Sequence, residues 1–323
     1  MADVEIVGSG PNGLAAGVVL ARAGLTVRIH EASPTVGGGS RTLELMEDEH
    51  FHDFCSAVHP MALASPFFRA FGISKRIGFA VPDVSYAHPL DSGRAGVAYR
   101  SLDRTVEGLG VDGPAYRRLM EPLTQREEGI LAFALNSFLR LPKKPEAALR
   151  FGLAALDQGS PLWNRRFRTD EARALLTGVM AHPVGPLPSL TAAGAGLALG
   201  LLAHTVGWPI PVGGSQAIVD AMAADIQAHG GEVVVESRID SLAELGAAKV
   251  VLLDVAPKSL VRLARGRLPA AYDRALRSFR YGNAACKVDY ILSGPVPWAN
   301  AEVARAGTAH LGGTRAEIAA GEA

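Results

Sequence analysis

The sequence has little cysteine. Of 323 residues only Cys55 and Cys286 are cysteines, far apart and in no C-x-x-C pair. That excludes a disulfide framework, a thiolate zinc site and a thioredoxin-type redox pair. An excess of charge of one sign is also missing, since 32 basic residues balance 32 acidic ones. Such a balance gives no support to a polyanion partner such as nucleic acid. A basic n-region is absent, and Asp3 and Glu5 stand where one would be. No secretory signal is therefore read, and a cytoplasmic location is expected. His59, His88, His182 and His310 show no metal-ligand spacing, and three of them precede proline, a turn signature, so no metal is expected. Asp, Glu, Lys and Arg are lacking from Ala174 to Val219, and Thr191 to Val206 is almost wholly Ala, Gly and Leu. A membrane-spanning helix needs about 20 strongly apolar residues. Pro183, Pro186, Pro188, Pro209 and Pro211 interrupt this region. A buried helix lining an apolar pocket is expected there instead of a transmembrane one, which leaves peripheral membrane contact open.

What the sequence does have is concentrated in its first forty-two residues. Val4-Glu5-Ile6-Val7 reads as a short buried strand, followed at once by Gly8-Ser9-Gly10-Pro11-Asn12-Gly13. Leu14 to Ala23 reads as a helix of small apolar residues, with a further glycine at Gly17. Gly24 to His30 turns into a second strand that ends on Glu31, 18 residues past Gly13. Strand, glycine loop, helix, strand and acid in that order form a dinucleotide-binding unit. Gly8 permits the tight turn, Gly10 lets a pyrophosphate approach the backbone, and Gly13 lets the helix pack on the strand. Pro11 and Asn12 complete the loop, whose free N–H groups and helix dipole favour phosphate. The Glu31 carboxylate is placed to accept from ribose hydroxyls.

A second glycine run follows. Ala32-Ser33-Pro34-Thr35-Val36 leads into Gly37-Gly38-Gly39-Ser40-Arg41-Thr42. Three glycines so soon after the ribose acid mean that the backbone again passes close to something, and Arg41 adds a permanent charge with a planar fork of donors. A nicotinamide cofactor does not need this second loop, whereas a larger cofactor lying along it would.

Val4 to Thr42 resembles flavoproteins of the phytoene-dehydrogenase and amine-oxidase type, in which an acid followed by Gly-Gly-x-x-Arg contacts FAD. His52 to Pro60, Gly207 to Gln216, Tyr281-Gly282 through Pro297-Trp298, and Gly307 to Gly313 resemble later segments of the phytoene-dehydrogenase-like branch. The likeness is greatest to the subgroup called pyridine nucleotide-disulfide oxidoreductase domain-containing protein 2, though no redox disulfide is present here. The resemblance implies an α/β fold: a Rossmann-type FAD-binding domain with an inserted α+β substrate domain, incomplete at the C-terminus. Related chains continue past the segment matching Gly307 to Gly313 with a second glycine-rich stretch that touches the flavin, whereas this sequence ends at Ala323.

By motif placement the FAD-binding domain takes residues 1–85 and 209–265. A mainly helical substrate domain takes 86–208, and substrate-domain strands take 266–323. Within these, Asp112 to Phe138 has helical spacing with Leu119, Leu123, Ile130, Leu131 and Leu135 on one stripe. Leu141 to Pro145 breaks the chain between helices. Ser215 to His229 reads as an amphipathic helix and Glu232 to Glu236 as a strand. Lys249 to Asp254 reads as a strand of a sheet covered on both faces. Ala284 to Leu292 reads as a substrate-domain strand.

Three further site residues follow, Ile239 and Lys287 from the resemblance and Val255 from its place in the sheet. Ile239 stands where an apolar residue packs near the adenine, or is a simple core residue. Val255 leaves the carboxyl end of a strand, where open α/β sheets bind ligands. Lys287 matches a lysine that holds a water near flavin N5 in relatives, or is a solvated lysine on a strand face. The implied function is an FAD-dependent oxidoreductase moving a hydride from a small apolar or amine-like substrate to the flavin. Other readings share the motif: a non-catalytic binding or escort protein on the same fold or an inactive truncated flavoprotein, and an NAD(P)-dependent dehydrogenase.

Overall fold

Four apolar-rich residues make the first strand, β1 (Val4–Val7), and all four are buried. Glu5 is buried with them because its carboxylate meets the His30 ring at 2.8 Å and Arg28 at 3.9 Å. The first helix, α1, runs Pro11–Arg22, starting three residues before the expected Leu14. Proline fits the first helical turn, where its missing N–H has no intrahelical partner to lose. Gly24, at φ +85°, closes the helix and hands the chain to β2 (Val27–His30). These features come from a computed structural model that describes residues 2–46, 49–136, 141–246 and 248–323.

Contacts divide the chain into two units. The first comprises residues 1–57, 73–78 and 211–282; the second comprises 58–72, 79–210 and 283–323. Residues 266–282 thus belong with the dinucleotide motif, and 58–72 and 79–85 with the other unit.

The first unit is built on a four-stranded parallel sheet, ordered Val250–Leu253, β1, β2, Glu232–Val234. α1 packs on it beside the Gln216–Ala228 helix, one residue shorter at each end than expected. Gly17 sits at that crossing, where an added Cβ would lie 2.7 Å from Ile29 and 2.9 Å from Ile226. The Val250–Leu253 strand is not covered on both faces: it is an edge strand, with Val250 and Val251 exposed. The Glu232–Val234 strand also stops early. Glu236 turns to φ +52° and its N–H bonds Ser33, while the Ser237 N–H bonds the Glu31 carbonyl. The chain leaves the ladder to wrap the loop after β2.

The second unit holds a three-stranded sheet ordered Ala306–Ala309, Val84–Pro89, Ala95–Tyr99, whose first pair is parallel and second antiparallel. Helices cover it around a core of Tyr86, Tyr116, Leu123, Leu175, Leu197 and Trp208. The expected helix from Asp112 is two helices, Gly113–Thr124 and Glu127–Ala134, while Ser137 and Phe138 lie outside the described residues. Pro122 removes a ladder bond just before the break. The uncharged stretch forms a helix, Leu190–Ala203, buried along Ala192, Ala193, Gly196, Leu197 and Gly200 to Ala203. Gly196 admits Met180 so closely that a Cβ would lie 2.5 Å from its side chain. No helix among the described residues is long and apolar enough to cross a membrane. Ala284 to Leu292 is irregular rather than a strand, and it pairs with no described strand.

Candidate functional site

The parallel register decides where the motif residues meet. Val7 pairs with His30 on one side and Leu253 on the other, so the three strands end level. The next residue of each strand therefore lies on one edge: Gly8, Glu31 and Asp254. Backbone bonds lock the row. The Gly8 N–H donates to His30 at 2.9 Å, Asp254 to Val7 at 2.9 Å, and Glu31 to Val234 at 2.9 Å.

Glycine is required in this row by contact. Gly8 adopts φ +104°, and its Cβ would lie 2.5 Å from the Asp254 carbonyl oxygen. A Cβ on Gly13 would lie 2.2 Å from the Gly8 carbonyl oxygen. Gly10 is different. Its Cβ would meet only the Asp254 carboxylate, at 3.2 Å, so the space above Gly10 is what a side chain would fill and a phosphate can use. Gly10 caps α1 with no side-chain hydrogen bond and Pro11 has no N–H, so in the first turn the Asn12 N–H is left for a ligand. The Gly13 N–H is already engaged, donating to Asp254 Oδ2 at 2.8 Å.

The second glycine loop lies on the first. The Gly37 N–H donates to the Ser9 carbonyl at 3.0 Å, and a Cβ on Gly38 would lie 3.2 Å from Gly10 Cα. Gly37 is at φ +121° and Gly38 at φ +55°. Gly39 faces Cys55. Arg41 Nε donates to the Gly38 carbonyl at 2.9 Å, and its guanidinium stands 5.1 Å from the Phe54 ring centre. Thr42 donates to Asp53 at 2.7 Å and accepts from the Gln216 N–H at 3.0 Å, which ties the loop to the next helix.

Glu31 is half-buried and already satisfied. Its carboxylate accepts the Ser9 hydroxyl at 2.6 Å, the Ser9 N–H at 3.2 Å and the Ser33 N–H at 2.8 Å. Burial alone would raise its pKa, but the bonds from Ser9 and Ser33 together outweigh it and hold the carboxyl below its ordinary value. Glu31 is therefore an anion at neutral pH, an acceptor for sugar hydroxyls. Ala32 follows it, exposed. Ile239 and Val255 pack with Val7, Leu245 and Leu263 in one apolar cluster at the end of β1.

The structure thus brings Gly8, Gly10, Pro11, Asn12, Gly13, Glu31, Gly37, Gly38, Arg41, Ile239 and Val255 into the first unit around one row of strand ends. Lys287 belongs to the second unit, on the irregular segment, with its ammonium paired to Asp289. Two residues escaped the sequence reading. Asp254 follows the Val250–Leu253 strand, and a lone acid ending an apolar strand at a ligand-binding edge is a signal in itself. Ser9 is the other, since its hydroxyl donates to Glu31. The residues present fit a dinucleotide: an open glycine cradle, a helix N-terminus and a ribose acceptor.

Residues 12–264 match the model of a family described as flavin containing amine oxidoreductase. Among solved structures, a protein from Pyrococcus furiosus is 16% identical, over 86% of this chain and 65% of its own, with a TM-score of 0.51. A CLA-producing fatty acid isomerase from P. acnes is 15% identical over 85% of this chain and 63% of its own, at 0.52. A putrescine oxidase double mutant redesigned for cofactor binding is 18% identical over 85% and 63%, at 0.51. The chain thus spans less than two thirds of each of these structures, and at such identities the likeness shows the fold alone. No curated protein matches the chain significantly.

Proposed function

Since the chain belongs to the flavin-containing amine oxidoreductase family, we propose that it serves as an FAD-dependent oxidoreductase on a small apolar or amine-like substrate. The observation that carries this reading is the second glycine loop seated on the first, with Gly38 against Gly10 beside the ribose acceptor Glu31. A nicotinamide cofactor gives Gly37 to Arg41 nothing to do. A flavin, once bound, supplies the hydride acceptor. The protein's own contribution is position and electrostatics. The Asn12 N–H at the start of α1 and the bare backbone at Gly10 hold the pyrophosphate, with the Arg41 cation beside the second loop. Glu31 orients the adenosine ribose, exchanging its Ser9 hydroxyl bond for ribose hydroxyls. Ile239 and Val255 offer the adenine an apolar bed.

The finer placing, in the phytoene-dehydrogenase-like branch, rests on the likeness of His52 to Pro60 and Gly207 to Gln216 to that branch. Lys287 is the residue assigned to hold a water for proton movement near the flavin. K287M should lower kcat at least tenfold while leaving FAD binding unchanged; an unchanged kcat removes Lys287 from the reaction.

The direct test of the cofactor is the absorbance spectrum of the purified chain before and after incubation with FAD, set against fluorescence titration with NADH. A flavin band that survives desalting is expected. Tight NADH binding with no retained flavin would overturn the reading in favour of a nicotinamide enzyme.

A further inference from the structure

The balanced charge of the chain hides one strongly basic segment. Between Lys258 and Arg280 stand Lys258, Arg262, Arg265, Arg267, Arg274, Arg277 and Arg280, against the single acid Asp273. This segment folds as two short helices of the first unit, Pro257–Leu263 and Ala270–Arg277. The second of these buries none of its residues. Lys258, Arg262, Arg265 and Arg277 converge on one cavity of about 420 Å³, whose remaining lining is Ser259 and Val261. Among the described residues, two carboxylates reach these cations. Asp273 takes Arg277 at 2.6 Å, and Asp240 stands 3.8 Å from Arg262 while already held by Arg238 at 3.2 Å. Lys258 and Arg265 make no side-chain hydrogen bond or ion pair with any described residue.

Like charges held around one concavity repel one another, and a fold that builds such a cluster gains when an anion fills it. Guanidinium forks and an ammonium around one cavity match the oxygens of a phosphate, each fork able to donate two parallel hydrogen bonds. Carboxylate ligands are a poorer match, because even Lys258 and Arg265, the two cations without a carboxylate beside them, exceed what one carboxylate can neutralise. The cavity is also not the cofactor cradle. None of its lining residues belongs to the glycine loops or to Glu31, so a ligand here is additional to the dinucleotide.

We propose that the cavity between the Pro257–Leu263 and Ala270–Arg277 helices is a binding site for a phosphate ester or pyrophosphate group, separate from the dinucleotide site. The group can reach it as a free phosphorylated metabolite or as the headgroup of an anionic lipid. The same four cations serve both, and experiment separates them.

The test uses the full chain and K258A/R265A, whose two side chains are exposed and unpaired, so folding is not at stake. Inorganic pyrophosphate is titrated into each by calorimetry. The wild type should bind and the double variant should bind at least tenfold more weakly, since each lost charge-assisted contact is worth roughly a factor of ten or more. Raising the salt should weaken the wild-type affinity steeply. Equal pyrophosphate affinity in the two proteins, or no binding by the wild type, would overturn the proposal. Flavin retention is read on the same samples and should be equal in both, so loss of the phosphate site and failure of the FAD reading are distinguishable. Vesicles of phosphatidylcholine with and without phosphatidylglycerol name the source. Co-sedimentation confined to the anionic vesicles and competed by pyrophosphate supports a lipid headgroup. Pyrophosphate binding without co-sedimentation supports a soluble phosphate ester.

Discussion

At the scale of single residues, two carboxylates flank the glycine cradle and do opposite jobs. Glu31 waits for a ligand, and its position at a strand end gives it no structural duty beyond holding Ser9 and Ser33. Replacing it by Ala should therefore weaken FAD binding about tenfold to a hundredfold, the worth of hydrogen bonds to a charged acceptor, and should also cost about 1–3 kcal/mol of stability, since the Ser9 and Ser33 N–H groups lose their acceptor. E31Q keeps an acceptor and should lose less; equal affinities for wild type and E31A in a flavin titration would remove Glu31 from the site. The pH dependence follows from its lowered pKa. A carboxyl held below its unfolded value contributes stability that is complete above the ordinary carboxylate range. That contribution is lost as pH falls through the lowered folded value. FAD affinity should thus be flat around neutrality and fall only in acid. Asp254, by contrast, already works in the ligand-free protein, accepting the Gly13 N–H at 2.8 Å as an N-terminal cap supplied from the neighbouring strand. D254A should cost about 1 kcal/mol of stability by chemical denaturation, the usual worth of a cap, and D254N much less. A loss in D254N as large as in D254A would mean that charge rather than the hydrogen bond is what matters there.

At the scale of elements, the second unit stores neutral histidines between its sheet and helices. His310 follows the Ala306–Ala309 strand, packs 5.0 Å from His182 and 5.2 Å from Tyr86 between ring centres, and has both ring nitrogens buried without a hydrogen-bond partner. Burial first, then the neighbouring His182 and His88, push its pKa down to about 3. Burial likewise pushes His204, at the end of the Leu190–Ala203 helix, down to about 4. In the unfolded chain both titrate near 6.5. The folded state therefore binds fewer protons than the unfolded one between those values. Stability is complete above about pH 6.5 and should fall steadily below it, as far as pH 3 to 4. Denaturation midpoints measured across that range check this; H310N should flatten part of the slope, and an unchanged slope in H310N would show that the ring is not the cause. The same strand shows what was legible in the sequence. β1, the glycine loop, α1, β2 and Glu31 could be read because each depends on its neighbours in the chain and on residue types with a local reason. Ala284 to Leu292 has as good a strand pattern, yet it pairs with no described strand, and a local pattern does not supply a partner. Val250 and Val251 read as doubly buried because apolar composition reports burial but not which strand stands at an edge. The Gly113–Thr124 and Glu127–Ala134 helices share one apolar stripe, so periodicity alone ran through the break after Pro122. In the candidate site, Asp254 was hidden because its partner, Gly13, is 241 residues away.

At the scale of the whole molecule, charge is balanced in sum but not in distribution. The formal net charge is zero at pH 7, yet seven of the 32 basic residues stand between Lys258 and Arg280. Acids are correspondingly in excess elsewhere. Copies of such a chain attract one another through unlike patches where the net charge vanishes, and repel as pH moves away from it. A second attraction is available. Leu149, Leu153 and Leu156 lie at helical spacing on one face of the Pro145–Gln158 helix, each more than half exposed. Both effects should make the chain associate reversibly near its isoelectric point of about 7.1. Salt tells them apart. Sodium chloride screens charged patches, with a Debye length that shrinks from about 10 Å at 0.1 M to 3 Å at 1 M. Sulfate strengthens apolar burial instead. Light scattering at neutral pH should therefore give a mass that falls with sodium chloride if the basic segment drives association, and rises with sulfate if the leucines do. L153E should lower the mass only in the second case, and charge reversal at Arg274 and Arg280 only in the first. A monomer at every salt and pH would show that neither patch is strong enough to join two copies.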